Sequence, residues 1–580
     1  MHTMIPKLGR SRAGRPRPVR RTDVRPQAVP PQAVRPQAVR RRPRVALLLA
    51  ATVAAGGPVI AATGASAASG HGHGGALEPG NLLVSGSVYQ NDPGLLQPGV
   101  TVLPPGCTSG CATATNDGSY PGVFNNDLVD ASFGVTSPVF LDQVTPSGHL
   151  VSTLRIPDAA QPGGGLVTSF SSKSELALNQ STSGRYVTFM GYVAKPDLID
   201  VSNSNTPGVI DPTNPVSSAY YRVTATLDSQ GRLSYTETNA YSGNNGRAAI
   251  LNDSHGAHVL YTAGNAGNGS NPQPDGVILG AGAQIMTQSR EPERAQQPGQ
   301  PTPVGSFSVT QLGDPADKVG KDTNFRGLAI YGNVVYYTKG SGSNGVNTVY
   351  FVDTTGKACP SGVGLPEPGA ALPANPIAYD PSALQTKGVY PYNMCILKGF
   401  PTALKSATSF PFGLWFANSH TLYVADEGNG DTTYSAATGT YTAAAGQTTA
   451  GLQKWVLSNG TWTLAYTLSS GLGLGAPYTV PGYPAGDNAA TGLPWAPATD
   501  GLRNITGRVN PNGTATIWAV TSTVSGGGDQ GADPNKVVAI TDNLGAQTLP
   551  AESFRTFQSA RSGEVLRGVS FTPGTREGGR

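Results

Sequence analysis

The chain has 580 residues, 76 Gly, 48 Pro and only 13% charged residues. It is therefore poor in helix formers and rich in turn formers, which argues against a helical bundle. The net charge of +4 hides an asymmetry: residues 1–44 hold 13 Lys and Arg against one acid, Asp23. The rest carries 26 basic and 34 acidic groups, with no basic run, which excludes nucleic acid as a partner for the body of the protein.

The N-terminal segment has the three parts of an export signal. Arg40-Arg41-Arg42-Pro43-Arg44 precedes the apolar run Val45–Ala55, and Ala65-Ser66-Ala67 fits a small-x-small cleavage site. The apolar run is short for a membrane span, although an uncleaved anchor is the rival reading. The paired arginines also permit a twin-arginine route. The reading is an export signal with a long basic n-region over 1–67, then a Gly/His linker over 68–78 that contains His71 and His73. A single domain follows over 79–576. No other long apolar segment exists, so no membrane span is expected after cleavage, and the mature chain is expected to be extracellular and monomeric.

Four cysteines agree with an oxidising compartment. Cys107 and Cys111 lie in Pro-Gly-Cys-Thr-Ser-Gly-Cys, and Cys359 and Cys395 flank a Pro/Ala/Gly-rich excursion. The pattern reads as two disulfides, Cys107–Cys111 and Cys359–Cys395. A four-cysteine zinc site is the rival, but the spacings match no zinc pattern well.

A unit then recurs along the chain: a basic residue, a short apolar strand, a turn, a second apolar strand and a Gly/Asn/Asp-rich loop. Copies run Arg247-Ala-Ala-Ile-Leu with His258-Val-Leu-Tyr-Thr, and Phe325-Arg326-Gly-Leu-Ala-Ile with Asn333-Val-Val-Tyr-Tyr. Two more run Phe412-Gly-Leu-Trp-Phe with Thr421-Leu-Tyr-Val-Ala, and Leu502-Arg503-Asn-Ile-Thr with Ala515-Thr-Ile-Trp-Ala-Val. A weaker copy joins Lys173-Ser-Glu175-Leu-Ala-Leu to Arg185-Tyr-Val-Thr-Phe. Two further strands follow each pair, and Asn459-Gly460 between two of them is a strong hairpin signal. Four antiparallel strands per unit make a propeller blade.

The ends complete the count. Val565–Phe571 repeats an opening strand with nothing after it, whereas strands near 81–89, 139–144 and 150–156 lack an opener. One blade built from both termini closes the ring and removes its exposed edges. The expected fold is all-β: a β-propeller of six four-stranded blades, closed by N- and C-terminal strands. Its inner strands start near residues 175, 248, 327, 413, 504 and 567. A seventh blade fits if two have been merged.

The stretch Thr421-Leu-Tyr-Val-Ala-Asp-Glu-Gly-Asn429, followed by Leu452-Gln-Lys-Trp-Val, resembles an NHL repeat. The likeness covers one blade. More broadly the chain resembles secreted bacterial propellers. The resemblance implies the fold and no activity.

The repeat places chemistry at one face of the disc. Lys173, Arg247, Arg326, Arg503 and Arg567 occupy equivalent positions at or before the inner strands, and only the blade beginning Pro411-Phe412-Gly413 lacks such a cation. Converging guanidinium groups would suit carboxylates, sulfates or phosphates. The partner class is then an anionic polymer or an extracellular surface protein. The bland alternative is scaffolding, with each cation bonded to carbonyls of the next blade or paired with Asp426, Glu427 or Asp529. Asp426, Glu427, Asn429 and Asp431 offer oxygens for Ca²⁺. Glu175 and Asn504 could mimic the channel-metal ligands of six-bladed lactonases, and an extracytoplasmic hydrolase or lyase is the competing function. Nucleophile motifs are lacking, and His149, His255, His258 and His420 read as turn residues, with His255 and His258 on the face opposite the arginines. Trp415, Trp455, Trp462 and Trp518 lie in strands and read as packing between blades.

Overall fold

A computed structural model describes residues 76–103, 105–107, 111–122, 134–161, 164–207, 218–238, 240–265, 282–289, 304–306, 324–340, 346–358, 362–373, 394–403, 409–527 and 531–575. The export segment, most of the Gly/His linker, Cys359 and Asp529 lie outside the described residues. All of the described residues belong to the unit His71–Arg580.

The architecture is an all-β propeller of six blades, with almost no helix beyond the single turn Thr442–Ala445. Blade 1 is the closure. Glu564–Phe571 is its inner strand, and it pairs antiparallel with Leu82–Val88, which pairs in turn with Val139–Val144 and Leu150–Arg155. The register Leu82↔Phe571 to Val88↔Glu564 ties one end of the domain to the other. The five remaining inner strands are Asn179–Gln180, Gly246–Asn252, Leu328–Tyr331, Pro411–Asn418 and Ala498–Val509, which open blades 2 to 6. Inner strands of successive blades touch all the way round, and that of blade 6 meets that of blade 1. The six starts follow the repeat read from sequence. Blade 2 differs in detail: its inner strand is only two residues long, so Lys173 and Glu175 sit in the segment leading into it.

Burial falls outward in blades 1, 5 and 6, whereas in blade 4 the inner strand is the wetter one. Second strands such as Thr421–Asp426 and Val334–Lys339 are buried at every position, because both faces pack on neighbouring blades. That is why they read as unbroken apolar runs rather than alternating ones. The outer strands of blades 1 and 5 are wetter: Leu150–Arg155 is mostly exposed, and Thr461–Leu468 alternates. The turn between the last two strands of blade 5 places Asn459 at φ 50° and Gly460 at φ 69°, the left-handed pair that a two-residue hairpin requires. Tryptophans fill the seams between blades. Trp455 stacks on Phe400 at 3.9 Å, Trp518 meets Phe571 edge-on at 5.6 Å, and Trp462 meets Phe416 at 6.0 Å. Trp415 packs in a seam as well, its ring against Gly507 of blade 6, but it is only half-buried and also lines the channel.

Backbone contact at the ring's inner rim explains the dipeptides of the repeat. A Cβ on Gly327 would fall 2.0 Å from the Phe412 carbonyl, one on Gly413 2.6 Å from the Arg503 carbonyl, and one on Gly568 2.4 Å from the Leu176 carbonyl. Each glycine thus lets its inner strand press on the next. Asn504 takes the equivalent place in blade 6 and donates from Nδ2 to the Arg567 carbonyl at 2.8 Å.

Cys107 and Cys111 form a disulfide, with S–S 2.10 Å and Cα atoms 5.8 Å apart. Cys395 is also disulfide-bonded. No helix among the described residues is long and apolar enough to cross a membrane.

Candidate anion site at one end of the channel

The five cations of the repeat are brought to one end of the central channel, where the inner strands begin. They are buried rather than fringing an open mouth: Arg247, Arg326, Arg503 and Arg567 are 6%, 3%, 2% and 2% exposed. Only the Lys173 side chain, 34% exposed, reaches water. The blade that lacks a cation supplies the counter-charge. Glu427, at the end of the second strand of blade 5, lies 3.4 Å from Lys173 Nζ, 3.4 Å from Arg326 Nη1 and 3.5 Å from Arg503 Nε. Phe412, which stands where the others have Arg or Lys, puts its ring 5.3 Å beneath the Arg326 guanidinium.

The other two cations hold backbone. Arg247 Nη1 donates to the Phe325 carbonyl of the next blade at 3.0 Å and to the Asn324 side chain. Arg567 Nη2 donates to the Phe170 carbonyl. Both scaffolding roles expected for the ring therefore occur, pairing with Glu427 and bonding to loop carbonyls. They do not use every donor. Arg247 Nε and Arg503 Nη2 are buried and have no hydrogen-bond partner among the described residues.

Charge and burial pull against each other here. Burial would raise the Glu427 carboxyl, but Arg326, Lys173 and Arg503 hold it down at about 2. Burial lowers Lys173 to about 8 against the pull of Glu427, and lowers Arg247 to about 9 with help from the Arg326 charge. Around the ring, burial raises Asp426 to about 7, Asp500 to about 6 and Asp533 to about 6.

The oxygens considered for Ca²⁺ are turned to separate partners. Asp426 accepts from Phe410 N at 2.8 Å, Gly428 N at 3.0 Å and Gln453 Nε2 at 3.1 Å. Asn429 and Asp431 close exposed turns onto Asp431 N and Thr433. Among the described residues, no group of three or more His, Cys, Asp or Glu is placed to hold a metal ion. Glu175 is buried as well. It accepts from Thr168 Oγ1 at 2.5 Å, Ser169 N at 3.0 Å, Tyr192 OH at 2.5 Å and Asn245 Nδ2 at 3.3 Å. Burial and Glu175 push the Tyr192 hydroxyl well above its ordinary range, so it stays protonated.

Sequence reasoning missed Arg222, fully buried beside this pair. It donates to the carbonyls of Asn244 at 2.8 Å, Tyr220 at 2.9 Å, Ser202 at 3.1 Å and Ser204 at 2.7 Å, with its guanidinium 5.3 Å from the Tyr192 ring. Arg222 opens a third strand rather than an inner one, so the inner-strand repeat carried no signal for it.

No protein-family model matches the sequence, and no curated protein matches it. Among solved structures the chain is similar to the hemagglutinin-neuraminidase ectodomain of parainfluenza virus 5, at 12% identity and TM-score 0.31, over 72% of this chain and 77% of that one. It is also similar to an apocarotenoid oxygenase of Synechocystis, at 9% identity and TM-score 0.32, over 86% and 94%. A third likeness is to a DUF4221-family protein of Bacteroides vulgatus, at 10% identity and TM-score 0.23, over 70% and 88%. Likenesses this distant carry no functional argument.

Proposed function

We propose that the protein is an exported binding module whose channel takes an anionic group of a ligand at the basic end. A uronate, sulfate or phosphate on an extracellular polymer or surface protein is the chemistry that fits. The supporting observation is the pair of buried N–H groups without a partner among the described residues, Arg247 Nε and Arg503 Nη2, within a ring of five cations, three of which share Glu427 as counter-charge. Buried donors without partners are costly, and an anion satisfies both donor and charge. Lys173, the exposed member, is the point of entry. Export rests on the N-terminal signal pattern together with the disulfides.

The test is calorimetric titration with polygalacturonate, heparin and inorganic sulfate at fixed salt. At least one should bind, and Arg503→Gln should weaken it by about 10–100-fold, the worth of one hydrogen bond to a charged group. Failure of all three to bind, or binding indifferent to Arg503→Gln and Arg247→Gln, rejects the proposal.

A hydrolase or lyase is the second reading. It is favoured by Asp500 and Asp533, which both hold their protons to about 6, where a general acid is useful. Turnover of an acidic glycan that disappears in Asp533→Asn would support it. Calcium is not carried forward, because the four candidate oxygens serve separate partners.

A further inference from the structure

The inner strands all run away from the basic end, and their far halves enclose a second site. A cavity of about 720 Å³ lies there, walled by inner-strand residues of all six blades and rimmed by the turns that lead to the second strands. The volume suits a drug-sized molecule. The rim includes the left-handed turn Gly332-Asn333, at φ 56° and 61°, and the exposed His255, on the face opposite the arginines as the repeat implied.

The chemistry of the walls is unlike that of the basic end. Ile330, Tyr331, Trp415, Ile505 and Val509 line the cavity and are only half-buried, so apolar surface faces the space. Tyr331 and Phe416 lie face to face at 4.8 Å and make one wall rigid and flat. Arg508 is the one fixed charge among the lining residues. It is exposed, and its guanidinium sits 5.9 Å from the Trp518 ring centroid. It makes no ion pair or side-chain hydrogen bond among the described residues, so its N–H edge is free. Two blades round the ring from Arg508, Asn179 Nδ2 is a buried donor with no partner among the described residues.

We infer that this cavity binds an amphipathic carboxylate, with an aliphatic or aromatic body against the apolar wall and its anionic head at Arg508. The half-buried apolar walls gain by covering, and the single free guanidinium supplies charge complementarity and orientation. Asn179 offers a donor to any oxygen carried on the body. The site is separate from the anion site proposed above and does not depend on it.

Isothermal titration of the full chain with decanoate and with decanol tests the inference. Decanoate should bind saturably, at least tenfold more tightly than decanol. Arg508→Gln should remove that tenfold preference and leave decanol unchanged. Ala329→Leu, which adds bulk from the inner strand of blade 4 into the cavity, should weaken both ligands at least tenfold, and Ala329→Trp should abolish binding. Near-UV circular dichroism of each variant reports whether it has folded, and Ala329→Leu keeps the test open if the larger substitution does not fold. Arg503→Gln should leave decanoate binding intact. The inference is overturned if neither ligand binds, if Arg508→Gln leaves the preference unchanged, or if Arg503→Gln abolishes decanoate binding while Arg508→Gln does not.

Discussion

The two ends of the channel are built from the same six inner strands and differ in almost every physical respect. Where the strands begin, Gly327, Gly413 and Gly568 bring successive backbones into contact, and the enclosed space holds buried cations around one carboxylate. Where they end, about 720 Å³ is left open, and the walls combine half-buried apolar side chains with neutral polar ones and one free arginine. Close approach explains the first arrangement. Strand starts crowd loop carbonyls together, and guanidinium groups satisfy carbonyls that could not otherwise reach water. At the far end the turns are short and exposed, so less backbone needs internal partners, and side chains of ordinary inner-strand composition face the space. A single repeat thus produces two chemically distinct sites because its strands have direction.

Substitutions can break this contrast, and Glu427→Gln is the most severe. It leaves Lys173, Arg326 and Arg503 without their counter-charge, and loss of one partner from a buried pair costs about 3–5 kcal/mol. Urea unfolding should show that loss, and decanoate binding at the far end of folded protein should persist.

Gly413→Ala attacks the same end through packing. Its Cβ would lie 2.6 Å from the Arg503 carbonyl, and overpacking of this kind costs about 1–3 kcal/mol. An unfolding midpoint within error of the parent would show that the ring tolerates a wider opening.

The pH dependence sharpens the contrast further. Burial raises Asp426 to about 7, so the folded state holds a proton that the unfolded state releases near 4. Its share of stability is present below the unfolded value and is lost as pH rises toward 7. Glu427, held at about 2, works the opposite way: its share is present above the unfolded value and is lost as pH falls toward 2. Asp426→Asn should therefore flatten the decline between pH 4 and 7, by on the order of 1–3 kcal/mol. Chemical denaturation across that range measures the slope, and an unchanged slope would assign the decline to other groups.

The smallest effect belongs to Lys173→Met. Its side chain is a third exposed, so screening reduces the value of its pair to under about 1 kcal/mol. The same change at Arg326 or Arg503, both buried, should cost several times more. Equal costs at all three positions would mean that Lys173 is as desolvated as its partners.

Much of the basic end was legible in the residues themselves. The recurring cation before each apolar strand placed Lys173, Arg247, Arg326, Arg503 and Arg567 together, because a repeat maps equivalent positions to one face. Sequence also offered Glu427 as a partner for them, as one of three with Asp426 and Asp529, and offered it equally as a calcium ligand. The choice lay in side-chain direction: Asp426, the last residue of its strand, turns to Phe410, Gly428 and Gln453, while Glu427 just beyond it turns to the cations. The far cavity left no comparable mark. Trp415 does pack in a seam like Trp455, Trp462 and Trp518, and nothing local marks that it also faces the cavity. Arg508 stood outside the repeat.

The sequence by itself determined the propeller fold, the closing strand at Val565–Phe571 and the recurring cations, and it left the count at six blades or seven. All three follow from periodicity, and periodicity survives without any knowledge of distance. Only the tertiary structure decided how wide the channel is at each end. That depends on glycines meeting backbone carbonyls some ninety residues away in the chain, as Gly413 meets Arg503, and on where the strands stop. Burial of the arginines follows from the same contacts, and it is burial that turns five equivalent residues into two that hold carbonyls and three that share one carboxylate.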